Sequence, residues 1–200
     1  MFLHYMDLYI IAGCNGAGKT TASFTILPEI LDCHEFVNAD EIAKGISPFQ
    51  PGKVVIEAGK IMLCRIEQLL NGNYTFAFET TLAPKTYKST VLKAQKRGYT
   101  VTLLFFWLQT VELAKKRVQQ RVAEGGLDVD PVTIERRYFS GIRNLFDIYL
   151  PIVDEVLIFD NSEGKHELIA KKLNKSEVSV LNSLKFNLLQ QYYDHKREGK

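Results

Sequence analysis

The sequence predicts a three-layer α/β fold: a parallel five-stranded sheet covered by helices on both faces, with a small helical lid. Three observations carry this. Short apolar runs alternate with stretches of helical spacing, the pattern of a parallel sheet buried on both sides. Gly13-Cys14-Asn15-Gly16-Ala17-Gly18-Lys19-Thr20 has the spacing G-x-x-x-x-G-K-[ST] between one such run and a helical start. Arginine pairs, Arg117 with Arg121 and Arg136 with Arg137, stand on either side of Gly125-Gly126, as in a lid that swings on a glycine hinge.

Taken in order, strands are expected at 8–12, 35–38, 74–79, 100–108 and 155–160. The run Leu103-Leu104-Phe105-Phe106-Trp107-Leu108 is continuous rather than alternating, as an internal parallel strand allows. A helix follows Lys19 until Pro28, which lacks a donor and clashes with the preceding turn. Ser47-Pro48-Phe49-Gln50-Pro51-Gly52 is a loop by its punctuation. Ala58, Ile61, Met62, Ile66 and Leu69 then recur at helical spacing until Asn71-Gly72-Asn73 stops them. A further helix spans about 85–97 and ends at Gly98. The lid covers about 110–147, where Asp130 caps a helix and Pro131 occupies its first turn. Beyond Lys165 the chain reads as a helical tail, 165–200, with a frayed polar end. Residues 1–200 make one domain.

The loop chemistry follows from its residue types. Gly13, Gly16 and Gly18 let the backbone curl so that the N–H groups from Asn15 through Ala17 to Thr21 face one centre, and the helix adds the positive end of its dipole. A polyphosphate such as that of ATP fits there. Lys19 then reaches the β- and γ-phosphates, and the Thr20 hydroxyl takes one position on Mg²⁺, which prefers oxygen ligands. Cys14 contributes its backbone rather than its thiol.

Composition narrows the partners. The 200 residues are 46% hydrophobic, enough for a real core, and carry a formal net charge of +2. Such balance disfavours a nucleic-acid or membrane surface. Cys14, Cys33 and Cys64 are scattered without metal or disulfide spacing. No apolar run approaches the ~20 residues that span a bilayer, and no leader is recognisable, so a cytoplasmic protein is expected.

The acids decide what is done with the nucleotide. Asp40 after the second strand and Glu79 after the third should emerge beside the loop. An acceptor hydroxyl needs a positioned base, and Asp40 takes that role, with helix capping as its competing use. Glu79, with Thr80 and Thr81, suits a substrate hydroxyl or a metal-bound water. Arg121 and Arg137 suit charge on the transferred phosphoryl. The fourth strand ends Trp107-Leu108-Gln109 without the acid common in motor ATPases, which keeps open a nucleotide-binding module without transfer.

The loop together with Phe36-Val37-Asn38-Ala39-Asp40-Glu41, Phe76-Ala77-Phe78-Glu79-Thr80-Thr81-Leu82, R-V-x-x-R-V-x-x-G-G from Arg117 to Gly126, Ile134-Glu135-Arg136-Arg137-Tyr138 and Tyr149 with Asp160-Asn161-Ser162 resembles the compact branch of the zeta toxin family. The resemblance implies a P-loop kinase-type fold and ATP-dependent phosphorylation of a hydroxyl on a UDP-sugar such as UDP-N-acetylglucosamine. It also implies a possible antitoxin partner. By position it makes Lys19 the P-loop lysine, Asp40 the catalytic base, Glu79 and Thr81 the substrate-binding pair and Arg121 the phosphate-binding arginine, with Arg136 or Arg137 as the second.

Overall fold

A computed structural model describes residues 6–174 and 176–194. Its sheet is centred on β4 (Tyr99–Trp107), buried at every position except Thr100. So apolar a strand has no face to give to water, which forces it inside. β1 (Met6–Ala12) runs parallel along one edge of β4 and β5 (Glu155–Asp160) along the other. β3 (Phe76–Thr80) and the short β2 (Phe36–Val37) continue beyond β1, also parallel.

Two further strands, β6 (Glu167–Lys172) and β7 (Ser179–Val180), extend the sheet antiparallel, giving the order β2-β3-β1-β4-β5-β6-β7 among the described residues. The expected five strands are therefore seven, and the expected helical tail is corrected: only α8 (Ser183–Asp194) is helix. Leu168, Ala170 and the lysines favour a helix locally, but pairing with β5 buries Ile169 and Ala170 completely. It also gives the Lys172 ammonium two carbonyls, Leu150 at 2.6 Å and Val153 at 3.1 Å. Tertiary pairing overrides the weak local preference. Residues 195–200, where a frayed end was expected, lie outside the described residues.

Helices cover both faces. α1 (Lys19–Glu29) ends one residue after Pro28. α2 (Ala39–Ile46) and α3 (Val55–Asn71) flank a 3₁₀ turn, Pro51–Val54, and α4 (Tyr87–Lys96) follows β3. α5 (Val111–Ala123) is capped by Thr110, and α6 (Pro131–Asn144) by Asp130, whose Oδ1 accepts from the Thr133 N–H at 2.8 Å. α6 runs through a π turn, Leu145–Tyr149, into α7 (Leu150–Ile152). α8 packs its aromatic rings on β4, α6 and the π turn: Tyr192 meets Trp107 and Tyr138 edge-on, and Phe186 meets Phe146. No described helix is long and apolar enough to cross a membrane.

Candidate active site

Three glycines shape the loop after β1, and they do different things. At Gly13 (φ 144°) an added Cβ would lie 2.1 Å from the Phe106 carbonyl oxygen, so this residue lets the loop cross β4. Gly16 and Gly18 (φ 79° each) take left-handed backbone that closes the curl. Gly18 is the N-cap of α1 and brings no side chain, which leaves the first N–H groups of the helix for an anion.

Lys19 is buried, its ammonium donating to the Cys14 carbonyl at 3.0 Å and lying 3.5 Å from Glu79 Oε1. The Thr20 hydroxyl donates to Glu79 Oε2 at 2.8 Å, and Asn38 Nδ2 donates to the same oxygen at 2.9 Å. Glu79 is inside β3 rather than after it, paired with Ile11 in the β1–β3 ladder. Register therefore sets its carboxylate against the loop. Burial pushes the Cys14 thiol up to about 11, which keeps it protonated and unreactive near neutrality.

Asp40 does not cap its helix. Asn38 does, its Oδ1 accepting from the N–H groups of Asp40 at 2.8 Å and Glu41 at 3.4 Å. The Asp40 carboxylate instead faces the cleft, with Oδ2 at 4.0 Å from Arg121 Nη1. Arg121 also donates to the Leu127 carbonyl at 3.1 Å, while its buried Nε has no partner. An added Cβ on Gly126 would lie 2.5 Å from Arg121 Cγ, so the Gly125-Gly126 turn is wrapped around this side chain.

A cavity of about 440 Å³ gathers Asn15, Gly16, Gly18, Lys19, Thr20, Thr21, Asp40, Glu79, Thr81, Arg117, Arg121 and Arg137. Gly13 and Ala17 do not line it; Ala17 is held from behind, its carbonyl accepting from Asn161 Nδ2 at 2.8 Å. Arg137 donates to Asn15 Oδ1 at 3.2 Å, whereas Arg136 is exposed and off the cleft. Burial first, then the Arg136 charge, pulls the Arg137 guanidinium below its usual range.

The same cavity also has apolar lining, from Val55, Met62, Pro84 and Tyr87. Here the sequence reading missed the supports. Leu82 is buried with a left-handed φ of 59°, a conformation that persists only when neighbours impose it. Asn144 Nδ2 donates to the Leu82 and Ala83 carbonyls at 2.8 and 2.9 Å, and the Tyr149 hydroxyl to Pro84 at 3.2 Å. The last residue of α6, Asn144, and the last of the π turn, Tyr149, thus both reach this loop. Gly141 lets α6 approach: an added Cβ would lie 2.7 Å from the Thr81 carbonyl oxygen. Tyr149 belongs to the family pattern without a role attached to it, and the glycine in the helical pattern of α6 was the available signal for the rest.

A P-loop after β1, a carboxylate after β2 and a central parallel sheet extended by two antiparallel strands define a P-loop kinase fold. The chain belongs to the zeta toxin family, whose profile, described as Zeta toxin, matches residues 4–173. α8 lies beyond that match. An uncharacterised protein of Haemophilus influenzae is 28% identical over 128 residues, 63% of this chain and 88% of the relative. Among solved structures, the AvrRxo1-ORF1:-ORF2 complex with ATP aligns at TM-score 0.74 and 17% identity over 94% of this chain. This chain spans only 64% of that one's length. A chain of the PezAT toxin–antitoxin system of Streptococcus pneumoniae aligns at TM-score 0.64 and 16% identity, over 99% of this chain and 88% of that one.

Proposed function

We propose that this chain transfers the γ-phosphoryl group of ATP to a hydroxyl of a small molecule, with Asp40 as the base. The observation that carries it is the Asp40 carboxylate, not used as a helix cap, on the wall of the cavity that holds Lys19, Thr20 and three arginines. In this reading the loop amides bind the triphosphate, and Lys19 exchanges the Cys14 carbonyl for phosphate oxygens. The acceptor hydroxyl gives its proton to an Asp40 carboxylate oxygen as its own oxygen bonds to the γ-phosphorus. The bond from that phosphorus to the bridging oxygen breaks, and ADP leaves with that electron pair. Arg121, Arg117 and Arg137 spread over the charge on the phosphoryl oxygens. The Asp40–Arg121 approach holds the carboxylate ready and tethers the lid arginine near it.

The donor set fits Mg²⁺: Thr20 supplies a hydroxyl and Glu79 a carboxylate beside it, hard oxygens of the kind this cation takes along with phosphate and water. Bound there, Mg²⁺ would neutralise charge on the β- and γ-phosphates. The contact between Glu79 and Thr20 weighs against a mere nucleotide holder, since an acid absent from the end of β4 is supplied from β3.

For the acceptor, the apolar lining of Met62, Pro84 and Tyr87 suits a base or sugar face, and family membership supports a nucleotide sugar such as UDP-N-acetylglucosamine. A proteinaceous antitoxin is the partner favoured by the likeness to a toxin–antitoxin system. The test is Asp40→Asn with Mg·ATP and a panel of UDP-sugars, following product by mass spectrometry. Transfer should fall by at least about 100-fold while ATP binding survives; joint loss of binding and transfer would overturn the base assignment.

A further inference from the structure

Asp160, at the end of β5, is 1% exposed and surrounded by donors. Lys185 Nζ lies at 2.7 Å, Gln109 Nε2 at 2.9 Å and the Ser162 N–H at 3.0 Å, with the Ser162 hydroxyl bonded to it as well. A carboxylate taken out of water needs such company. Burial works to raise the Asp160 carboxyl, and the donors, Lys185 foremost, outweigh it and hold it below the ordinary range.

The turn that Asp160 organises touches the loop and the cleft. Asn161 Nδ2 donates to the Ala17 carbonyl at 2.8 Å and sits where an added Cβ on Gly18 would fall, 2.5 Å away. The Ser162 carbonyl accepts from Arg117 Nη2 at 2.8 Å, a guanidinium on the cavity wall. One turn thus backs the P-loop and aims an arginine. Lys185, its cationic partner, is contributed by α8, and its ammonium also meets Glu167 Oε2 at 2.6 Å.

We propose that Lys185 is a positioning residue for the phosphate site, acting through Asp160 on the 160–162 turn and so on the P-loop and Arg117. The claim rests on reading the cleft as a nucleotide site. Without the ammonium, Asp160 keeps a buried charge with only the neutral donors of Gln109 and Ser162 beside it, and water must make up the difference. The turn then shifts outward to meet water and carries Asn161 and Ser162 away from Ala17 and Arg117. α8 is thereby part of the nucleotide apparatus of this chain although Lys185 comes 25 positions after Asp160 in the sequence.

The experiment uses the full chain, well below its unfolding temperature. Hydrogen-exchange mass spectrometry follows peptides covering 13–20 and 159–163, and calorimetry gives the Kd for Mg·ATP. Lys185→Met is expected to speed exchange across 13–20 and to weaken ATP about tenfold, the loss of one charge-assisted contact. Lys185→Arg should restore both readouts to within about twofold, and Glu167→Gln should leave them there, because its carboxylate backs no part of the site. Unchanged exchange at 13–20 with a lowered Tm would overturn the proposal and make α8 a plain stabilising element. Should the wild-type chain bind no ATP, the nucleotide reading fails, and exchange alone decides the positioning claim by the same two outcomes. If Lys185→Met does not fold, Lys185→Gln, which keeps a donor and loses the charge, is read in its place.

Discussion

The Thr20 hydroxyl donates to Glu79 Oε2 across 2.8 Å, and the Lys19 ammonium lies 3.5 Å from the other oxygen of the same carboxylate. β3 therefore delivers an acid to two successive P-loop side chains, Lys19 and Thr20. The meeting is set by the ladder, in which Ile11 pairs with Glu79. A carboxylate held against a hydroxyl in this way can orient the water shell of a hard cation as readily as it can hold a sugar hydroxyl.

Those two uses separate in a magnesium titration. Glu79→Gln is expected to raise the Mg²⁺ concentration for half-maximal phosphoryl transfer about tenfold and to leave Mg-free nucleotide binding near the wild-type value. An unchanged Mg²⁺ requirement with a raised acceptor KM would assign the residue to the acceptor instead.

The two adjacent arginines of α6 should differ sharply. Arg137 is half-buried and bonded to Asn15 of the loop, and Arg136 is in solvent. Arg137→Ala should lower kcat by about 100-fold or more, the scale of losing a preorganised donor at developing charge. Arg136→Ala should stay within about twofold. Steady-state rates of the two variants side by side test this, and equal losses would contradict it.

Much of this site is legible in the sequence because its parts are local. The P-loop spacing, the acid after β2 and the capped start of α6 at Asp130 are short patterns whose chemistry is written in adjacent residues. What escaped depends on pairing at a distance. β6 carries a helix-compatible sequence and becomes a strand only because β5 offers it a ladder. Asn38, not Asp40, caps α2, a choice among neighbouring good caps that sequence leaves undecided. The contacts of Asn144 with Leu82, and of Lys185 with Asp160, join residues 62 and 25 positions apart in elements whose packing no local pattern encodes.

Acid should reveal Asp160. Its carboxyl is held below the ordinary 3.8, so its contribution to stability is present above that value and is lost as pH falls through the lower folded-state value. Asp160→Asn should cost roughly 2 kcal/mol at pH 7, where a charge-assisted contact is lost and Lys185 keeps Glu167 as its anionic partner. The gap to wild type should narrow below about pH 3.8 as the wild-type group begins to protonate. Urea unfolding at pH 7 and pH 3 checks both statements, and a gap that widened in acid would refute them.

The part of the cleft proposed to take the acceptor depends on a loop that cannot hold its own shape. Leu82 keeps φ at 59° with its side chain buried, and Asn144 supplies the donors for two successive carbonyls there. Asn144→Ala leaves both carbonyls without that partner, at a cost of about 2 kcal/mol in stability, and frees Thr81 from its place on the cavity wall. Gly141→Ala acts on the same loop from the other side, because a methyl group 2.7 Å from the Thr81 carbonyl oxygen must push α6 and the loop apart. Both variants should raise the acceptor KM about tenfold and leave the KM for ATP within about twofold, since the P-loop does not touch Asn144. A rise in both constants together would mean that the loop braces the whole cleft rather than its acceptor end.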